Sequence, residues 1–133
     1  MEEWKSLLVE RVSNIITSKR TTNFEEAVLL FEMRFNMLTR EIVEKDASVV
    51  KINRYDGKKA FFSILNYQLD LLKKEKAIEV RTGTESKLEL IGEIKFENGF
   101  AVIEVNSVNK KHYLSEKSID ALFKKAFSAL AKE

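Results

Sequence analysis

The stretch Gly92-Glu93-Ile94-Lys95-Phe96-Glu97-Asn98-Gly99-Phe100-Ala101-Val102-Ile103-Glu104-Val105 decides the fold class. Two runs of apolar residues flank Asn98-Gly99, and Asn-Gly in that setting is the strongest short-range signal for a hairpin with a two-residue loop. Such a loop pairs Phe96 with Ala101, Ile94 with Ile103 and Gly92 with Val105, which makes one face of the hairpin uniformly apolar. An antiparallel sheet with one buried face is therefore expected.

Upstream of the hairpin, Ala77–Thr82 and Lys87–Glu97 read as strands separated by a turn around Gly83. Ser48–Arg54 is β-branched and too short for a helix, so it reads as a strand ending in the turn Tyr55-Asp56-Gly57. Between these, Phe61, Ile64, Leu65, Leu69 and Leu72 recur at helical spacing, and Lys73, Lys74 and Lys76 suit the negative end of a helix dipole. That spacing predicts a helix over residues 58–75.

Two helices are expected at the amino-terminal end. Trp4, Leu7, Leu8, Val12, Ile15 and Ile16 predict an amphipathic helix over residues 2–19 with its apolar face in the core. Asn23 followed by Glu26 has the form of a capping box, opening a helix over residues 24–43 whose Phe24, Val28, Phe31, Phe35, Leu38 and Ile42 line one seam. The two helices would form a tight αα-hairpin. Downstream, Phe100–Val108 reads as a strand, Lys110–Tyr113 as a surface loop, and Ser115 as the cap of a last helix carrying Ile119, Leu122, Phe123, Ala126, Phe127 and Leu130 on one face.

The expected architecture is a single α+β domain over residues 1–133, in the order ααβαβββα. Its antiparallel sheet of three to four strands would pack against the N-terminal αα-hairpin and the C-terminal helix. With 133 residues, no proline and four glycines, the chain offers no linker for a second domain.

Composition excludes several functions. The chain has no cysteine and one histidine, His112. Thiol nucleophiles, thiolate zinc sites and paired-histidine metal sites are therefore impossible, and His112 reads as a solvated loop residue. No apolar run approaches the ~18 residues that span a bilayer, and the acidic start Glu2-Glu3 is unlike a secretion signal. A cytoplasmic protein without membrane contact or cofactor is expected. The formal net charge of +2 is spread unevenly, at −2, +4, −3 and +3 over residues 1–44, 45–78, 79–104 and 105–133.

Three features compete for function. The leading one is the second helix, whose seam leaves Leu29, Leu30, Met33 and Met37 on the opposite side. A helix apolar on two faces is either central to its own domain or shared with a partner, and methionine suits adaptable binding surfaces. The expectation is a non-enzymatic protein–protein interaction module, a small regulator, adaptor or inhibitor that self-associates as a homodimer. The alternative is a nucleic-acid-binding accessory protein using Lys51, Arg54, Lys58 and Lys59 around one turn and Lys110, Lys111, Lys124 and Lys125 around the last helix. Phe61, Phe96, Phe123 and Phe127 fall on expected core positions, which leaves Tyr55, Phe62, Tyr67 and Tyr113 to stack bases. A distant third is a metal-dependent nuclease. Its basis is the opposition of Glu93 and Glu104 beside Lys95, with Asp70 as a third ligand, because facing carboxylates repel unless a cation joins them.

Overall fold

A computed structural model of the chain describes residues 2–106 and 110–132. Helix α1 (Glu3–Arg20) and helix α2 (Phe24–Lys45) lead into seven strands and a final helix α3 (Glu116–Phe127). The strands are β1 (Val50–Tyr55), β2 (Lys59–Ile64), β3 (Tyr67–Lys73), β4 (Ile78–Thr84), β5 (Lys87–Glu97), β6 (Phe100–Val105) and β7 (Lys110–Tyr113). They form one antiparallel meander in sequence order, β1 to β7. The α+β class stands, while the expected three to four strands become seven.

The hairpin of β5 and β6 has the register read from its sequence, with Gly92 opposite Val105, Ile94 opposite Ile103 and Phe96 opposite Ala101. Asn98 and Gly99 both adopt positive φ, 53° and 81°, as the tight loop requires. Ile94, Ala101 and Ile103 are buried, but Phe96 is exposed.

The helix expected over residues 58–75 is instead the hairpin of β2 and β3. Ile64 pairs with Tyr67 across a loop of only Leu65 and Asn66, with Leu65 at φ 54°. The side chains that enter the core are Ala60, Phe62 and Ile64 on β2 and Leu69 and Leu71 on β3, a period of two. Phe61 and Leu72 alternate to the other face. Phe62, a free aromatic on the sequence reading, is fully buried, whereas Phe61 stands outside the core.

The core is built on five phenylalanines. Phe31 and Phe35 of α2, Phe62 of β2, and Phe123 and Phe127 of α3 form a chain of ring contacts with centroids 5.3 to 6.2 Å apart. Asn23 caps α2 by accepting a hydrogen bond from the Glu26 backbone N–H, 2.9 Å. The Glu26 carboxylate turns to Thr22 rather than to the cap residue, accepting from its backbone N–H and its hydroxyl. Ser115 caps α3 in a reciprocal capping box with Ser118. Leu38, expected in the α2 seam, is exposed, and Leu130 lies in a 3-10 turn after α3.

The N-terminal helices depart from expectation. α1 packs on β6, β7 and α3, and α2 on α3, β1 and β2, so α3 rather than α2 is the neighbouring helix of α1. The β7 segment, expected as a loop, adds the last strand beside β6 and carries His112 opposite Ile103. The end of the strand expected over Phe100–Val108 falls outside the described residues.

Candidate partner-binding surface

α1 is amphipathic, yet its polar side faces the body of the protein. Ser18 is its one buried residue, and the Ser18 hydroxyl donates to the Ala101 carbonyl at 2.5 Å. Lys117 of α3 donates to Glu10 at 3.0 Å. Thr21, buried at the end of the helix, donates its hydroxyl to the Thr17 carbonyl at 2.9 Å. The Ser18 and Glu10 contacts, which reach β6 and α3, fix the rotation of α1 about its axis.

The apolar stripe consequently points outward. Trp4, Leu8, Val12 and Ile16 are 60, 53, 45 and 44% exposed, with Val9 beside them also exposed. The expectation that this stripe enters the core is overturned. Hydrophobic periodicity gives the apolar side of a helix, whereas its direction is set by partners elsewhere in the chain. Under the other side of α1, toward β6, β7 and α3, runs a groove of about 760 Å³ lined by Leu7, Arg11, Ile15, Val105, Tyr113 and Leu122.

The stripe expected on α2 is also open. Leu29, Met33 and Met37 are exposed, while Leu30 is half-buried against the core. Arg34, next to these, reaches α3 instead, donating to both carboxylate oxygens of Asp120 at 2.9 and 2.5 Å and to Glu116 at 3.0 Å. That clamp holds α2 on α3 and leaves the methionines on the outer side.

The seven basic candidates whose side chains are described do not converge. Lys51 and Lys59 line the solvent face of β1 and β2, whereas Arg54 pairs with Glu32 of α2. Lys58 lies in the loop between β1 and β2, and Lys124 and Lys125 end α3. Lys111 pairs with Glu97 at 3.1 Å, and the Lys110 side chain lies outside the description. The expected metal ligands are likewise dispersed. Glu93 does face Glu104, but Asp70 sits opposite Phe61 and Arg81. Among the described residues no group of three or more His, Asp or Glu could hold a metal ion.

The open face of β1–β3 carries a basin of about 830 Å³ that the helical reading of residues 58–75 concealed. Asp70 forms part of its floor and is 1% exposed. Its Oδ1 accepts from Gln68 at 2.7 Å, its Oδ2 lies 3.7 Å from Lys59 Nζ, and neither Oδ2 nor the buried Arg81 Nε has a hydrogen-bond partner among the described residues. Burial pushes the Asp70 carboxyl above its ordinary value, against the opposing pull of Gln68 and Lys59.

A raised pKa in the folded state means that folding takes up a proton between the unfolded and folded values. The stability contribution of Asp70 is therefore full below the ordinary aspartate range and is lost as pH rises through the raised value. Asp70→Asn is expected to stabilise the protein at pH 7, with the gain shrinking toward pH 4. Urea unfolding at both pH values measures it, and a variant less stable than wild type at pH 7 would instead make the Asp70–Lys59 attraction dominant.

Among the described residues, no helix is long and apolar enough to cross a membrane. No protein-family model, curated protein or solved structure matches the chain.

Proposed function

We propose that this protein is a non-enzymatic protein–protein interaction module and that α1 is its recognition element. The observation that carries the reading is the outward apolar stripe of α1, from Trp4 to Ile16, on a helix fastened to the body by polar contacts. A continuous apolar helix face of this kind is ordinarily covered by another surface. The Leu29, Met33 and Met37 stripe of α2 offers a second apolar surface for the same purpose.

A second reading has its own support. Lys51 and Lys59 share the open face of β1 and β2 with the Tyr55 and Phe61 rings, whose centroids are 5.7 Å apart. Cations beside exposed rings on a sheet suit single-stranded nucleic acid, with the rings stacking bases and the lysines meeting phosphates.

One experiment separates the readings. Immobilised wild type, Leu8→Glu/Val12→Glu and Lys51→Glu/Lys59→Glu are exposed to native lysate with and without nuclease. The interaction reading expects protein capture that resists nuclease and about 0.5 M salt and is lost in the α1 variant alone. Capture of nucleic acid that falls steeply with salt and is lost in the lysine variant alone would replace it with the second reading.

A further inference from the structure

We propose that the basin on the open face of β1–β3 binds a nucleobase, stacked on the Tyr55 and Phe61 rings and hydrogen-bonded along one edge to Asp70 and Lys59. The basin contains no residue of α1 or α2, so the proposal goes beyond the interaction reading and does not depend on it.

The observation that points to a ligand is the unmet hydrogen bonding of Asp70. Leu69 and Leu71 on either side of it enter the core, so Asp70 belongs to the outer face, yet its side chain is buried there. Its Oδ2 has no hydrogen-bond partner among the described residues. Arg81, directly opposite on β4, does not supply the missing bond, because its guanidinium donates to Glu79 at 2.8 Å. A buried acceptor left unsatisfied costs stability. Groups kept at such a cost mark sites where a ligand completes the bonding.

The neighbours of Oδ2 define what can fill it. The Lys59 ammonium lies 3.7 Å away on a half-exposed side chain, a flexible cover that swings aside at small cost. A cation arriving at Oδ2 would meet Lys59 and be repelled. A group that offers an N–H to Oδ2 and, next to it, an acceptor to Lys59 satisfies both. Every nucleobase carries a donor beside an acceptor on its Watson–Crick edge.

The rings select a planar ligand. Phe61 stands directly opposite Asp70 on the neighbouring strand, and the Tyr55 ring is tilted against it with centroids 5.7 Å apart. The Lys59 ammonium lies 5.9 Å from the centre of the Phe61 ring. A base lying on these rings brings its edge to Asp70 and Lys59 together. Lys51 lines the basin from β1, where its ammonium can meet the phosphate of a nucleotide. Glu85, the other acid lining the basin, is exposed in the turn after β4, three strands across from Lys51. The volume, about 830 Å³, is that of a small-molecule site.

Isothermal titration of the full chain with AMP, GMP, CMP and UMP tests this. Ribose 5-phosphate is the phosphate-only probe, and a mixed-sequence single-stranded RNA of about ten nucleotides is the polymeric source of the same base. At least one monophosphate is expected to bind at concentrations up to about 5 mM, and ribose 5-phosphate is not. Tyr55→Ala, at an exposed position, should weaken binding about tenfold through the loss of stacking. Asp70→Asn should weaken it about fivefold or more through the loss of a charge-assisted acceptor. Circular dichroism verifies that both variants remain folded. If Asp70→Asn proves unstable, Lys59→Met reads the same edge.

RNA that binds more tightly than the monophosphates, and is lost with them in both variants, makes a strand the source of the base. RNA that binds no more tightly makes a free nucleotide the source. Absence of binding by all four monophosphates would overturn the site. Ribose 5-phosphate binding as well as the monophosphates, or RNA binding that survives both variants, would overturn it too, by reducing the face to lysine–phosphate contact. Monophosphate binding unchanged by Asp70→Asn and Lys59→Met would confine Asp70 to the fold and overturn the assigned edge.

Discussion

Phe35→Ala is expected to remove about 3–5 kcal/mol of folding stability, as truncation of a fully buried aromatic does. Phe35 has no exposed surface, and its ring meets those of Phe62, Phe123 and Phe127 at 5.4, 5.3 and 5.9 Å. Those rings come from the sheet and from α3, so one truncation opens a cavity where three elements meet. Partial collapse around it is limited, since each neighbouring ring is held by its own strand or helix. A domain of this size is stable by only about 5–15 kcal/mol, so the variant would sit near its folding threshold. Met33→Glu supplies the internal comparison on the same helix, because Met33 is exposed and its replacement should stay within about 0.5 kcal/mol. Urea midpoints at constant m-value measure both. A loss below about 1 kcal/mol for Phe35→Ala would place the ring outside a packed core.

The contrast between these two residues marks what the sequence makes legible. Phe31 and Phe35 announce a buried seam through their spacing, and the Asn98-Gly99 hairpin announces its register, because both signals are local. Residues 59–73 carry no such announcement. Their leucines have good helix propensity, and no Gly, Pro or Asp marks the turn at Leu65-Asn66. Only the ladders to β1 and β4 on either side make them strands, and pairing between neighbouring strands of the meander overrides helix propensity. Strand β7 escapes notice for a related reason. Lys110-Lys111-His112-Tyr113 is short and charged, as edge strands often are, and so resembles a loop.

The candidate surface was legible in kind but misplaced. An unneeded apolar face on α2 is visible in the sequence and remains open in the structure. The larger one, on α1, has a period that does not distinguish an inward from an outward stripe. The available clue was polar. Glu10, Asn14 and Ser18 recur at steps of four and define a second line along α1, and it is this line that meets the body. The outer basin around Asp70 has no counterpart in a helix over residues 58–75, since alternation between sheet faces is what brings Lys51, Lys59, Phe61 and Asp70 to one side.

Gly83→Ala is the backbone counterpart of the core truncation. Gly83 lies opposite Leu88 near the tip of the β4–β5 hairpin, with φ at 148°, a conformation that side-chain-bearing residues rarely adopt. A Cβ added there would stand 2.1 Å from the Lys87 carbonyl oxygen, and that oxygen belongs to the backbone of the paired strand. Relief therefore requires the hairpin to open. Combining a strained backbone, about 1–3 kcal/mol, with an overpacked contact, about 1–3 kcal/mol, gives an expected loss of about 3 kcal/mol or more. Gly99→Ala separates these two contributions. Gly99 also has positive φ, at 81°, but an added Cβ meets nothing within 4 Å. Its substitution should therefore cost only the left-handed backbone penalty, about 1–2 kcal/mol. Thermal and urea unfolding of the two variants would make the comparison directly. Equal losses would mean that the β4–β5 hairpin yields to the added Cβ at no cost and that conformational preference alone fixes both glycines.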